Sequence, residues 1–159
     1  MKRDGKTAKR NKQELQVWTY DLARAAVPYI TSIVRSLREH AIEISSWQQE
    51  VKRIADLPGR PDRKAMIAQQ EAERELRRAE ARFEEAAGDL EQLDIFCLDP
   101  VRGQALVPFV HDGELAWYIF DLFDGNHFRF WRYQSDPEET RRPITSKQHG
   151  LVEPTSLRS

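Results

Sequence analysis

The chain has 159 residues, 32% of them charged, with 25 Lys and Arg against 26 Asp and Glu and a mean hydropathy of -0.71. That length suits one domain, or one domain plus an extension, and no stretch approaches the ~18 consecutive apolar residues of a membrane helix. Residues 1–12 hold six bases against Asp4, so the net -1 of the whole chain leaves -6 on the other 147 residues. Such a body is a poor match for nucleic acid, and only the basic arm would attract phosphate.

The single cysteine, Cys97, cannot form an internal disulfide, and the basic start is not followed by an apolar run. The expectation is a cytoplasmic protein without a secretory leader. Residues 1–17 read as a basic, disordered arm.

Thr19 stands as the N-cap of a first helix, with Asp21 in the first turn where the helix dipole favours an anion. Ala26, Ile30, Ile33, Leu37, Ala41, Ile44, Val51 and Ile54 then recur mostly three or four apart. This predicts one helix from about Tyr20 to Asp56, kinked at Pro28, whose ring removes the donor for the carbonyl near Arg24. Leu57-Pro58-Gly59-Arg60-Pro61 ends it, and Asp62 caps a second helix that runs to about Leu93. Gly88 costs that helix ~1 kcal/mol relative to alanine, which suggests a close contact there.

Within the second helix Ala72, Leu76, Ala79, Phe83, Ala86, Leu90 and Leu93 fall alternately four and three apart, with charged or polar residues between. That is a coiled-coil heptad seam, and it needs a partner helix. The short connection makes the two helices antiparallel neighbours, so residues 18–93 form a helical hairpin. The alanines at 72, 79 and 86 permit close approach.

Beyond Leu93 the period changes to two. Residues 95–98, 104–110, 115–123 and 127–133 read as strands, separated by turns at Asp99-Pro100, Asp112-Gly113 and Asp124-Gly125. Pro108 lacks a ladder donor and therefore belongs on an edge or at a bulge. The expected fold is α+β: a long antiparallel helical hairpin followed by a small antiparallel four-stranded meander. The sheet, residues 94–145, packs with the hairpin as one domain, and residues 146–159 are a tail.

A two-residue turn at Asp112-Gly113 places Val107 and Phe109 on one sheet face with Ala116, Tyr118 and Phe120. Leu106, Pro108 and Val110 then share the other with Leu115, Trp117 and Ile119. Both faces are apolar, which is unusual for an antiparallel sheet. The hairpin can cover one, and a second copy of the chain is the economical cover for the other; the alternative is that the two tails fold back over it. Candidate interface residues are Leu76, Phe83 and Leu90 on the helix and Leu106, Leu115, Trp117 and Ile119 on the sheet. The expected partner is a homo-oligomer, a dimer or a multiple of one, with a further protein partner open.

Trp18-Thr19-Tyr20-Asp21-Leu22-Ala23 with Pro28, then Leu98-Asp99-Pro100 with Gly103, Leu106-Val107-Pro108-Phe109 and a strand ending in Trp131-Arg132 form one ordered set. In this order they resemble the bacterial family catalogued as domain of unknown function 2203, over about residues 18–145. The resemblance implies a long helical part followed by a short strand-rich part and brings no established activity. A Trp-His pair is common in that family where this chain has Trp131-Arg132, so no histidine role transfers to position 132.

Trp117, Tyr118, Phe120, Phe123, Phe128, Phe130, Trp131 and Tyr133 concentrate aromatics in the last third of the chain. They suit core and interface filling, or the wall of a ligand pocket. Arg129, Arg132, Arg141 and Arg142 beside Trp131 could hold a carboxylate or phosphate; Asp136, Glu138 and Glu139 offer them internal partners. A three-residue loop at Asp124-Gly125-Asn126 would set Asp121 opposite Arg129 as a plain ion pair. His40, His111, His127 and His149 have no ligand spacing, so no metal site can be written. A Cys97–His127 nucleophile–base pair lacks an indicated third residue, and no catalytic motif or cofactor loop is present. The sequence therefore favours a non-enzymatic homo-oligomeric assembly or protein-interaction module. The alternative is a binder of, or enzyme acting on, a small anionic ligand at Arg129, Trp131, Arg132, Arg141 and Arg142.

Overall fold

A computed structural model of the protein describes residues 15–149. The basic arm over residues 1–12 and most of the tail lie outside the described residues.

Thr19 caps the first helix as its residue type dictates: its Oγ1 accepts the Leu22 N–H at 3.2 Å. This helix, α1 (Tyr20–Ala25), stops at Ala26, and α2 (Val27–Ala55) follows at once. The expected kink at Pro28 is thus a full break two residues earlier, which places Pro28 in the first turn of α2. There the missing N–H is one that no helix would satisfy. Asp62 caps α3 (Arg63–Glu91), its Oδ1 accepting the Ala65 N–H at 2.8 Å. With 29 residues each, α2 and α3 extend about 43 Å and pack as the antiparallel hairpin.

The sheet has five strands in the order β1-β2-β3-β4-β5, one more than the sequence suggested. They are β1 (Phe96–Asp99), β2 (Gln104–His111), β3 (Glu114–Asp121), β4 (Phe128–Tyr133) and β5 (Arg142–Pro143). All neighbouring strands are antiparallel. The β2–β3 register pairs His111 with Glu114 around Asp112-Gly113, and both turn residues have positive φ, 53° and 77°, as a tight hairpin turn requires. Pro108 is at an edge: β1 pairs only with residues 104–106 of β2, and the Pro108 carbonyl accepts the Trp18 N–H at 2.9 Å.

Two features of the sheet depart from expectation. β3 ends at Asp121, so the β3–β4 loop spans six residues, 122–127. Arg129 consequently pairs with Asp124, and the expected Asp121–Arg129 pair does not form. Gly88, for its part, faces open space: a Cβ there would meet nothing within 4 Å.

The first face of the sheet, with Val107, Phe109, Ala116, Tyr118, Phe120, Phe128 and Trp131, packs with Ile30, Ile33, Val34, Leu37 and Leu90 into the main core. Apart from Ala23 of α1, the helix residues of this core come from the base of the hairpin. Trp18 joins sheet and hairpin, its indole N–H donating to the Leu93 carbonyl at 3.2 Å.

Candidate functional site

The residues singled out in the sequence are distributed over three surfaces rather than gathered in one. The first is the open end of the main-core face. Phe109 and Tyr118 stack at 3.8 Å, and Trp131 meets Phe109 edge-on at 5.7 Å. His111 lies between Trp131 (4.7 Å) and Tyr133 (5.7 Å). The segment 145–149 closes this end. Thr145 and Gln148 form a capping box on a single 3-10 turn over Ser146–Gln148, the Tyr118 hydroxyl donates to the Gln148 carbonyl, and His149 stacks on Tyr20 at 4.3 Å. The start of the expected tail is therefore part of the packed domain. Burial and, to a lesser extent, the charges near it push the Tyr118 phenol well above its usual value, so its proton stays on and keeps donating.

The arginines do not converge. Arg142 lies over the rings of Trp131 (5.4 Å) and Tyr133 (5.0 Å) and grips both oxygens of Asp136, with Nε at 2.8 Å and Nη2 at 2.9 Å. Arg129 binds Asp124 in the same two-pronged manner. Exposed Arg141 donates to the Glu138 and Thr140 carbonyls. Period-2 alternation sends Arg132 to the opposite face from Trp131. Three of the four guanidiniums are thus tied to neighbouring acids or carbonyls at the surface.

The second surface is that opposite face. Leu106, Trp117 and Ile119 form a small cluster, 3–7% exposed, against which Leu98, Leu115 and Phe130 pack. Every member is a strand residue. Phe96 meets Trp117 edge-on at 5.3 Å while remaining 49% exposed. The Trp117 indole N–H donates to Gln134 Oε1. Arg132, opposite Trp117 in the β3–β4 register, is only 7% exposed. Its Nη1 donates to the Tyr133 carbonyl at 3.2 Å, and its buried Nε has no partner. Sequence reasoning singled out Arg132 but grouped it with three arginines on other surfaces; alternation along β4 was the signal that separates it.

The third surface is the far half of the hairpin. The main core reaches α2 no further than Leu37 and α3 no earlier than Phe83. Just beyond, Arg38 still reaches the sheet, its Nε donating to the Val101 carbonyl at 2.9 Å and its guanidinium lying over the Phe123 ring; further out the two helices pack on each other, joined by the Arg82–Glu43 ion pair at 3.0 Å. Along the seam Ala72 and Ala79 are buried and Leu76 is half-buried, as are Ile44, Trp47 and Val51 on α2. Ile42, Met66 and Ile67 are 42–54% exposed. A groove of about 320 Å³ runs between the helices, lined by Trp47, Ala68 and Ala72 with Glu50, Glu71, Glu75 and Arg74. Of the helix residues named as an interface, Leu90 lies in the main core and Phe83 packs against it.

The geometry offers little reaction chemistry. Burial, with Asp99 adding to it, pushes the Cys97 thiol up to about 11, so it stays protonated and is a poor nucleophile at neutral pH. His127 Nδ1 is engaged with the Asp121 carbonyl at 2.9 Å. Among the described residues no three His, Cys, Asp or Glu side chains come together as a metal site, and no helix is long and apolar enough to cross a membrane.

The family described as an uncharacterized conserved protein, DUF2203, matches residues 16–144. No curated protein and no solved structure matches.

Proposed function

We propose that this chain, which belongs to the DUF2203 family, is a homo-oligomeric assembly module and not an enzyme. The observation that carries the reading is the far half of the α2–α3 hairpin, whose apolar seam is covered by one helix and by nothing else described. The two helices bury Ile54, Ala72 and Ala79 but leave Ile44, Trp47, Val51 and Leu76 only half-covered, and a second helical layer is the usual way to cover the rest. A second copy supplies an identical stripe by symmetry. Fully covering an Ile or Met side chain is worth roughly 1.5–3 kcal/mol, a gain open to the exposed Ile42, Met66 and Ile67. The Trp47 groove, edged by alanines, gives a larger side chain a place to enter.

Native mass spectrometry and sedimentation of the full chain test this. Met66→Asp combined with Ile67→Glu changes two side chains that are exposed in the single chain. The expected result is a drop to a lower oligomer with the circular dichroism of the fold retained. A wild-type chain that is monomeric at 100 µM (roughly the concentration at which a weak specific dimer forms) overturns the reading, as does a double variant with unchanged mass.

A further inference from the structure

The second sheet face is sealed in a way that its own strands do not explain. Pro108, Trp117 and Arg132 stand directly opposite one another across β2, β3 and β4, a row perpendicular to the strands. Pro108 is fully buried, Trp117 is 5% exposed and Arg132 7%. In the adjoining row Leu106 is 7% exposed and Ile119 3%. The described apolar residues packed with this cluster all lie on strands of the same sheet. Neighbours within one sheet shield a side chain from its flanks and leave its outer end to water; sealing that end takes a second layer. The rim stays open, with Phe96 49% exposed and Leu98, Leu115 and Phe130 half-buried. The cover is therefore narrow, of the width of one or two extended chains, and it runs across the strands.

One stretch of this chain starts in the right place to supply it. The His149 carbonyl accepts the Tyr20 N–H at 2.8 Å, and two residues before Tyr20 the Trp18 N–H meets the Pro108 carbonyl at 2.9 Å. His149 is thus held near the β2 end of the Pro108–Trp117–Arg132 row. From Tyr20 back to Trp18 and on across the three strands is roughly 20 Å, and the ten residues 150–159 can span up to about 33 Å. Leu151, Val152, Pro154 and Leu157 give that stretch the apolar side chains such a face takes, whereas residues 1–14 offer only Met1 and Ala8 among six bases.

We infer that residues 150–159 cross the second sheet face of their own chain, from β2 towards β4, and form its second layer over Pro108, Trp117 and Arg132. Being tethered at His149, this cover holds the face at any protein concentration, which a second copy cannot do. Leu106, Trp117 and Ile119, named in the sequence as a contact between copies, are then occupied within the chain, and self-association is left to the hairpin. The segment 145–149 gains a second role. The Tyr118 hydroxyl bond to the Gln148 carbonyl fixes, on one face of the sheet, the point from which the next residues reach the other.

A nitroxide on residue 152 tests the inference in the full chain. Cys97→Ser leaves Val152→Cys as the one thiol to carry the label, and NMR reads the methyl signals of the isotope-labelled protein. Those of Leu106, Leu115 and Ile119 are expected to lose most of their intensity, while those of Ile54 and Ile67 at the far end of the hairpin keep theirs. A second sample mixes spin-labelled chains lacking isotopes with isotope-labelled chains lacking the nitroxide, and its signals are expected to stay intact. Strand signals undiminished in the first sample overturn the inference, and so does a loss that appears in the mixture, which gives the cover to another copy. A label on Ala8→Cys that has the effect in place of Val152→Cys overturns it as well and assigns the face to the basic arm. As a measurement without a label, Leu151→Asp/Val152→Asp is expected to raise binding of an apolar-surface dye several-fold; binding equal to that of wild type counts against the cover. None of these readouts depends on the hairpin contact, so a chain that proves monomeric removes the proposed assembly and leaves this inference standing.

Discussion

Arg129 closes on both oxygens of Asp124, Nε at 2.7 Å and Nη2 at 2.9 Å, across five residues of the β3–β4 connection. Asp124 also accepts the Asn126 N–H at 3.0 Å, so one carboxylate holds the loop to its own strand. Arg142 and Asp136 repeat the arrangement between β4 and β5, where Asp136 additionally accepts the Tyr133 N–H at 2.8 Å.

These two carboxylates set an acid limit on the sheet. The arginine hydrogen bonds, helped by the backbone donors, hold both Asp124 and Asp136 down at about 2, below the ordinary ~3.9 of an unfolded aspartate. A depressed folded pKa contributes stability that is full above the unfolded value and disappears as pH falls through the folded one. The contribution of these pairs is therefore expected to be intact at pH 5 and above and to be lost between about pH 4 and pH 2. Asp136→Asn should lower the melting temperature at pH 7, and the gap to wild type should close by about pH 2. A gap that stays constant across this range would show that the pair carries no linkage.

Gly88 and Gly103 should respond oppositely to alanine. Gly88 sits in the last turns of α3 with open space where a Cβ would go, so the expected close contact is not there and only its backbone freedom remains. Gly88→Ala is expected to stabilise the fold by about 1 kcal/mol, the difference in helix propensity. Gly103 has φ of 69°, and a Cβ would come 2.6 Å from Leu122 Cβ. Gly103→Ala is expected to destabilise by more than about 1 kcal/mol, since strain and collision add. Urea titrations of both variants check the two signs.

The hairpin and the four expected strands of the meander were legible because each rests on a strong local signal. Ala72 to Leu93 keep one helical stripe, Asp112-Gly113 admits one kind of turn, and Pro108 excludes a ladder donor. What could not be read depends on groups that compete for the backbone. Asp121, Asp124 and Asn126 each cap a nearby N–H, at Phe123, Asn126 and Phe128, which ends β3 early and lengthens the loop. That moved the partner of Arg129 from Asp121 to Asp124. β5 is two residues, Arg142 and Pro143, too short for any period to show. Arg132 was visible in the sequence as one base among four; its isolation follows from strand alternation and from Arg142 already occupying Asp136.

Cys97 should be chemically quiet. It lies half-buried on β1 with its thiol pushed up to about 11, chiefly by burial. Only about one molecule in ten thousand then carries the thiolate at pH 7, against a few in a hundred for an ordinary cysteine. Iodoacetamide is expected to label the native chain at least tenfold more slowly than the urea-unfolded chain. Equal rates would mean that β1 opens readily or that Cys97 is more exposed than its place on the strand implies.

Tyr118 ties the segment 145–149 to the core, and removing its hydroxyl tests how firmly. The ring is fully buried and stacks on Phe109 at 3.8 Å, so Tyr118→Phe keeps the packing and deletes one donor. The Gln148 carbonyl then loses its hydrogen bond beside the 7%-exposed Gln148 side chain. An orphaned buried acceptor costs about 1–3 kcal/mol. The carbonyl can instead reach water if the single 3-10 turn lifts away, because Thr145 and Gln148 cap that turn within itself and it can move as a unit. Two readouts separate these responses. Lifting should speed hydrogen exchange and proteolysis around Ser146–Gln148 with little change in global stability. A loss of 1–3 kcal/mol in urea without faster local exchange would mean that the turn stays docked and the acceptor stays buried. Tyr118→Phe with neither change would show that the hydroxyl does not fasten this segment.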